Sequence, residues 1–346
     1  VAFFTEDEHG SLTIHSMILH VVGTEKFEAQ SARDVEHETF FLSRIFDLDS
    51  VPVYSFDEES STKKAIEEMA QDLVSFEQGA QDLSREFSKM HIGATKEGAL
   101  FIFELRSEGT TDRVYCLIKY DYREVIEQKL ENGENLLRKI VTAFVGDKKA
   151  IQKAAFIRTV DGEAQLEVCT KDRAKTAPDI GEYFEKFLNV KRTLTDKQLT
   201  QRVRDTVRVT LVDLEVLLAE SVSRAFSHTM DTLRDRALID EEAIIEAIRA
   251  CLKNDASEDD HDQVSKVTLR KLRANRLTGV AFRPDKEVLR KSNMHRLKTV
   301  ENITLIYPDR LGNNGVVRAK QADGSEVITI RTNQITEDTI VPDHTR

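Results

Sequence analysis

Ala99-Leu-Phe-Ile-Phe-Glu-Leu105 and Val114-Tyr-Cys-Leu-Ile-Lys-Tyr120 decide the fold class. Both runs are rich in β-formers, and the polar Ser107-Glu-Gly-Thr-Thr-Asp112 between them supplies a turn, so they read as a β-hairpin. Upstream, Leu12–Val22 alternates and then runs apolar up to Gly23, as a strand entering a core does. Phe40, Phe41, Ile45 and Phe46 have helical spacing. From Ser61 to His91, Ile66, Met69, Leu73, Phe76, Ala80, Leu83 and Phe87 recur at three- and four-residue steps. Gly79 falls inside that pattern and predicts a kink or two helices in series.

Downstream, 121–145 has helical composition broken near Gly133, and 154–160 and 164–170 flank an Asp161-Gly162 turn. A short helix follows at 179–188, residues 195–253 read as all-helical, and the chain ends in three extended segments. The fold class is therefore α+β, with a mixed or antiparallel sheet and helices in an N-terminal domain, 1–190. A helical region, 191–255, an acidic linker, 256–264, and a basic helix with C-terminal β-strands, 265–346, complete the expected organisation.

The 346 residues are 40% hydrophobic and 32% charged, enough apolar material for packed cores and too much for a disordered chain. Cys116, Cys169 and Cys251 form no CxxC pair, so they predict neither a zinc site nor a redox dithiol, but buried thiols in a reducing compartment. No run approaches the roughly 18 apolar residues of a membrane span, and the chain is expected in the cytoplasm. No phosphate loop, dinucleotide fingerprint, HExxH or nucleophile elbow is present. His15 and His20 lie five apart on a strand and face opposite sides, so they do not share a metal. The sequence therefore predicts no cofactor, no metal and no catalytic residue. A lysine and a carboxylate on neighbouring strands, Glu104 and Lys119, suggest a metal-dependent nuclease core. With no acidic partner at suitable spacing, they read instead as outward-facing strand charges.

Charge is more informative in its distribution than in its total of −11. Residues 1–60 hold 13 Asp or Glu against Lys26, Arg33 and Arg44, whereas 265–298 holds 11 Lys or Arg against Asp285 and Glu287. Lys266, Arg270 and Arg273 are spaced for one helix face, with Leu269 and Leu272 turned inward. Lys271 and Arg276 widen the band, and Arg290, Lys291, Arg296 and Lys298 extend it. Such a stripe neutralises phosphates and releases counterions, which gives affinity without reading sequence. The scarcity of aromatics favours double-stranded DNA over stacked single strands. The opposite expectation is that these cations pair with the chain's own acidic half. A further one is that Asp255, Glu258, Asp259, Asp260 and Asp262 fold back to screen the band.

Several of these segments, in this order, resemble the bacterial nucleoid-associated protein family: Ile14-His-Ser-Met-Ile-Leu-His-Val-Val-Gly23, Phe41-Leu-Ser-Arg-Ile45 and a long helix ending in His91-Ile-Gly93. So do the Gly98–Leu105 and Cys116–Tyr122 strands, Gln152-Lys-Ala-Ala-Phe-Ile157 and Tyr183-Phe-Glu-Lys-Phe-Leu-Asn189. The likeness covers roughly residues 12–215. It implies a cytoplasmic, nucleoid-located DNA-binding protein without cofactor, and it carries over no catalytic residue. The basic stretch lies beyond it and rests on charge alone. The competing reading is a protein-interaction subunit of a bacterial complex, such as a phage-defence system, docking through an acidic surface. A homodimer is a further expectation, because the apolar stripe Val203, Val207, Leu211, Leu214, Leu217 and Leu218 has more than one use.

Overall fold

The hairpin at 99–120 supplies two neighbouring inner strands of a seven-stranded antiparallel sheet. The structure, a computed structural model, describes residues 2–23, 26–90, 97–121, 123–131, 134–143, 150–290, 294–308 and 315–339, with backbone alone over 123–143. His91-Ile-Gly93 and Lys291 lie outside the described residues. The protein is α+β and divides into two units, residues 1–289 and 290–346.

In the larger unit the strands are β1 (Leu12–Val22), β2 (Tyr54–Phe56), β3 (Gly98–Ser107), β4 (Arg113–Asp121), β5 (Arg123–Glu131), β6 (Glu134–Ala143), β7 (Ile151–Val160), β8 (Glu163–Asp172) and β9 (Val190–Arg192). Its helices are α1 (Glu6–Ser11), α2 (Glu38–Asp47), α3 (Ser61–Ala70), α4 (Phe76–Met90), α5 (Glu182–Leu188), α6 (Asp196–Asp213), α7 (Val222–Arg234), α8 (Glu241–Arg249) and α9 (Glu258–Ala274). The sheet order is β1-β3-β4-β7-β8-β2-β9. Eight consecutive residues of β3, Gly98–Leu105, are buried, because both faces of this strand are covered. On one face Ile102, Leu117 and Ile157 meet Ile66, Leu83, Phe87 and Phe184. On the other, Phe101, Phe103 and Phe156 meet Phe3, Phe4, Phe41 and Ile45.

The long helical pattern at 61–91 is two helices, but they part at 71–75 and not at Gly79. Asp72 adopts φ 56° there and Leu73 is 71% exposed, so Leu73 does not belong to the buried stripe. Gly79 sits within α4 because a Cβ would lie 2.4 Å from Met69 Cγ; the glycine sets how closely α3 and α4 pack. Ser60 caps α3, accepting from the Lys63 amide, while its hydroxyl and that of Thr62 donate to Leu188 and Phe187 carbonyls. These bonds tie α3 to α5.

Within the segment expected to be helical, 121–145, the described residues correct the sequence reading: Arg123–Glu131 and Glu134–Ala143 are the antiparallel pair β5–β6, with Glu131 opposite Glu134. Two β-rich patches, Val125-Ile126 and Ile140-Val-Thr142, and the Asn-Gly pair at 132–133, a strong hairpin signal, outweigh the Glu, Lys and Leu that suggested a helix. At 161–162 the expected turn forms with φ 51° and 83°, the left-handed pair a two-residue hairpin needs.

Past the sheet, α6 to α9 pack as a helical layer whose core joins that of the α3–α5 face. Val203, Val207, Leu211, Leu214 and Leu218 are all buried in it. Of the stripe offered for a second copy, Leu217 alone is only partly buried, and it too packs against this core. All three cysteines are free and buried. The smaller unit contains two hairpins, β10 (Met294–Lys298) with β11 (Thr304–Pro308) and β12 (Val316–Lys320) with β13 (Glu326–Ile330). No helix among the described residues is long and apolar enough to cross a membrane.

Candidate nucleic-acid interface

Helix α9 carries the front half of the basic stretch, and its sequence explains why it starts where it does. Ser257 accepts from the Asp260 amide, and the Asp260 carboxylate accepts from the Ser257 amide, a reciprocal cap. These bonds hold the Asp260 carboxyl below its usual range. Glu258, Asp259 and Asp260 fill the first turn and Lys271 and Arg273 the last, each sign at the helix end that favours it. The acidic residues read as a linker are thus helical from Glu258 onward. Held in this helix, Glu258–Asp262 do not fold back as a loose linker: Asp259 stands roughly 16 Å along the axis from Arg270, whereas Asp262 lies one turn before Lys266.

Val264, Thr268 and Leu272 form the buried row of α9. Leu272 faces inward as expected, but Leu269, a residue past Thr268, is turned out and 39% exposed. On the outer face Lys266 and Arg270 stand one turn apart, exposed, with no ion pair among the described residues. The other three cations each meet one of the chain's own carboxylates. Lys271 pairs with Asp213 on α6 at 2.7 Å, Arg273 with Glu6 on α1, and Arg276 grips Glu167 on β8 at 2.7 and 2.8 Å. Internal pairing therefore accounts for three of these five positions.

Arg290, Arg296 and Lys298 belong to the smaller unit and are exposed. Arg296 and Lys298 lie two apart on β10, so they share a strand face. That strand went unseen in the sequence, where its charges read only as a continuation of the band. Residues 290–346 hold nine Lys or Arg against seven Asp or Glu, unlike the acidic larger unit.

The acidic N-terminal run is also partly committed within the fold. Glu8 binds Arg158, which together with Thr5 keeps its carboxyl below the usual range against the opposing effect of burial. Glu38 accepts from the Ile14 amide at 2.7 Å.

Glu104 and Lys119 are not outward-facing charges: both are buried, on the helix-covered face of the sheet. Glu104 accepts from the Tyr115 hydroxyl at 3.2 Å and binds Arg106, with Arg113 at 3.8 Å. Lys119 stands opposite Lys153, and Lys153 opposite Asp172. Burial and the neighbouring Lys153 bring the Lys119 amine down to about 8. In register Glu104 faces Tyr115, four residues from Lys119, so the two do not converge on one ion. Among the described residues, no three His, Cys, Asp or Glu side chains are grouped to hold a metal.

The family model for the nucleoid-associated protein YejK matches residues 24–305. The chain belongs to this family. Membership extends the motif resemblance past residue 215, where it had ended, and takes in α9, β10 and the connection between them. The opening strand β1 lies before the matched range. A comparison with curated proteins returned no match.

Proposed function

We propose that the chain is a non-enzymatic, nucleoid-associated DNA-binding protein that contacts the phosphate backbone of duplex DNA through its C-terminal basic region. Family membership supports the general reading, and one observation carries the choice of surface. Lys266 and Arg270 are exposed, a helical turn apart, and no carboxylate of the described residues neutralises them. Arg290, Arg296 and Lys298 add exposed positive charge on the smaller unit.

Lys271, Arg273 and Arg276 join them by exchange. Their pairs with Asp213, Glu6 and Glu167 lie at the surface, with Arg273 54% and Glu6 77% exposed. Exposed pairs of this kind are worth about 0–1 kcal/mol. A phosphate displaces such a carboxylate at little cost and releases a counterion as well.

Gel-shift titrations of duplex DNA at increasing salt test this. With about five phosphate contacts, log K is expected to fall against log salt with a slope near −4.5. Lys266→Glu with Arg270→Glu should make the slope shallower by about 2 and weaken low-salt binding about tenfold or more. No shift at low salt would overturn DNA binding. An unchanged slope in the double variant would move the contact away from α9.

A further inference from the structure

The end of β8, the 48–53 segment and residues 279–281 enclose a cavity of about 410 Å³, within the size range of small-molecule sites. Leu48, Val51, Val53, Ile151, Pro178 and Val280 give it apolar walls. Its mouth carries Lys171, Arg173 and Lys175, alternate positions in the run Lys171-Asp-Arg-Ala-Lys175 that leaves β8.

The lining carboxylates do not cancel that charge, because both are already taken by cations outside the cavity. Asp172 is bound by Lys153 and by the Ala174 and Gly181 amides. Asp179 is bound by Arg192 at 2.9 Å. Lys171 and Lys175 have no ion pair among the described residues, and Arg173 has only Asp121 at 3.8 Å. Thr170, 7% exposed, completes the wall.

We infer that this cavity binds a small organic anion, with its apolar body between Val51, Val53 and Val280 and its acidic head at Lys171 and Lys175. The site is independent of the DNA contact and stands or falls without it.

The probe is 8-anilinonaphthalene-1-sulfonate, titrated by fluorescence and calorimetry into the full chain, with uncharged N-phenyl-1-naphthylamine as its partner. The sulfonate should bind saturably. In Lys171→Glu with Lys175→Glu its affinity should fall about tenfold or more, as expected for lost charge-assisted contacts, while the uncharged dye changes less than about twofold. Ala281→Trp should fill the cavity and remove both. Absence of saturable binding overturns the inference. So does sulfonate binding that ignores the two charge reversals, since the dye then sits elsewhere. Lys175 is exposed and Lys171 half-buried at the strand end, so the charge variant, with Lys175→Glu alone beside it, decides the matter even if the tryptophan variant does not fold.

Discussion

Asp172→Ala is expected to cost the larger unit about 3–5 kcal/mol, the range seen when one partner of a buried ion pair is removed. Asp172 lies on β8 opposite Lys153 of β7, and both side chains are almost wholly withdrawn from water. One carboxylate oxygen takes the Lys153 ammonium and the Gly181 amide at 2.7 Å, and the other takes the Ala174 amide at 2.9 Å. The aspartate thus fixes the strand end and the approach to α5 together. Burial already pushes the Lys153 amine down, with Asp172 opposing it. Without the carboxylate the ammonium keeps the rings of Tyr183 and Phe184, 4.7 and 5.4 Å away. Lys119 across the strand repels it.

Urea unfolding followed by circular dichroism reads the loss directly. Asp172→Ala with Lys153→Met should recover most of it, because apolar replacements of a buried pair are commonly neutral or better. A single variant within about 1 kcal/mol of the parent would show that the pair carries little, and the accepted range for buried pairs would not apply here.

How far such contacts can be read from sequence depends on how far apart their members lie. The hairpin at 99–120 and the Asp161-Gly162 turn were legible because each is a local signal, strand formers around a turn pair. β5–β6 is harder to read because its charged composition favours a helix, and the hairpin signal is confined to the Asn132-Gly133 pair and two short β-rich patches. The break at 71–75 carries no Gly or Pro, so periodicity alone ran through it.

The basic band shows the limit most clearly. Its spacing on α9 followed from helix geometry, and Lys266, Arg270 and Leu272 lie where that geometry puts them. The partners of Arg276 and Arg273 are 109 and 267 residues away, on β8 and α1. Only the tertiary fold brings Glu167 and Glu6 to that helix end, so no count of charge along the chain could separate the paired cations from the open ones. Glu104 and Lys119 were missed for the same reason. A strand covered on both faces buries every side chain, and alternation no longer marks an outside.

His20 is expected to make the fold acid-sensitive well above the carboxylate range. It lies fully buried on β1, beside the Phe27 ring at 5.2 Å and the Gln30 backbone. Burial lowers its pKa to about 4; Arg85 and Arg33 push the same way, and the Gln30 backbone pulls partway back. The folded value lies below the unfolded one of about 6.5, so the fold favours the neutral ring. This contribution is therefore complete above pH 6.5, shrinks as the pH falls towards 4, and changes no further below that. With the Gln30 backbone offsetting part of the burial cost, about 2–3 kcal/mol is at stake. His20→Leu removes the titration and two buried polar nitrogens while filling similar space, so at pH 7 it should be at least as stable as the parent. Between pH 7 and 4.5 its advantage should grow by about 2 kcal/mol, because carboxylate titrations are common to both proteins and cancel in the difference. Urea midpoints for the two proteins at both pH values measure that difference, and parallel curves would mean that His20 finds a proton-accepting partner in the folded chain.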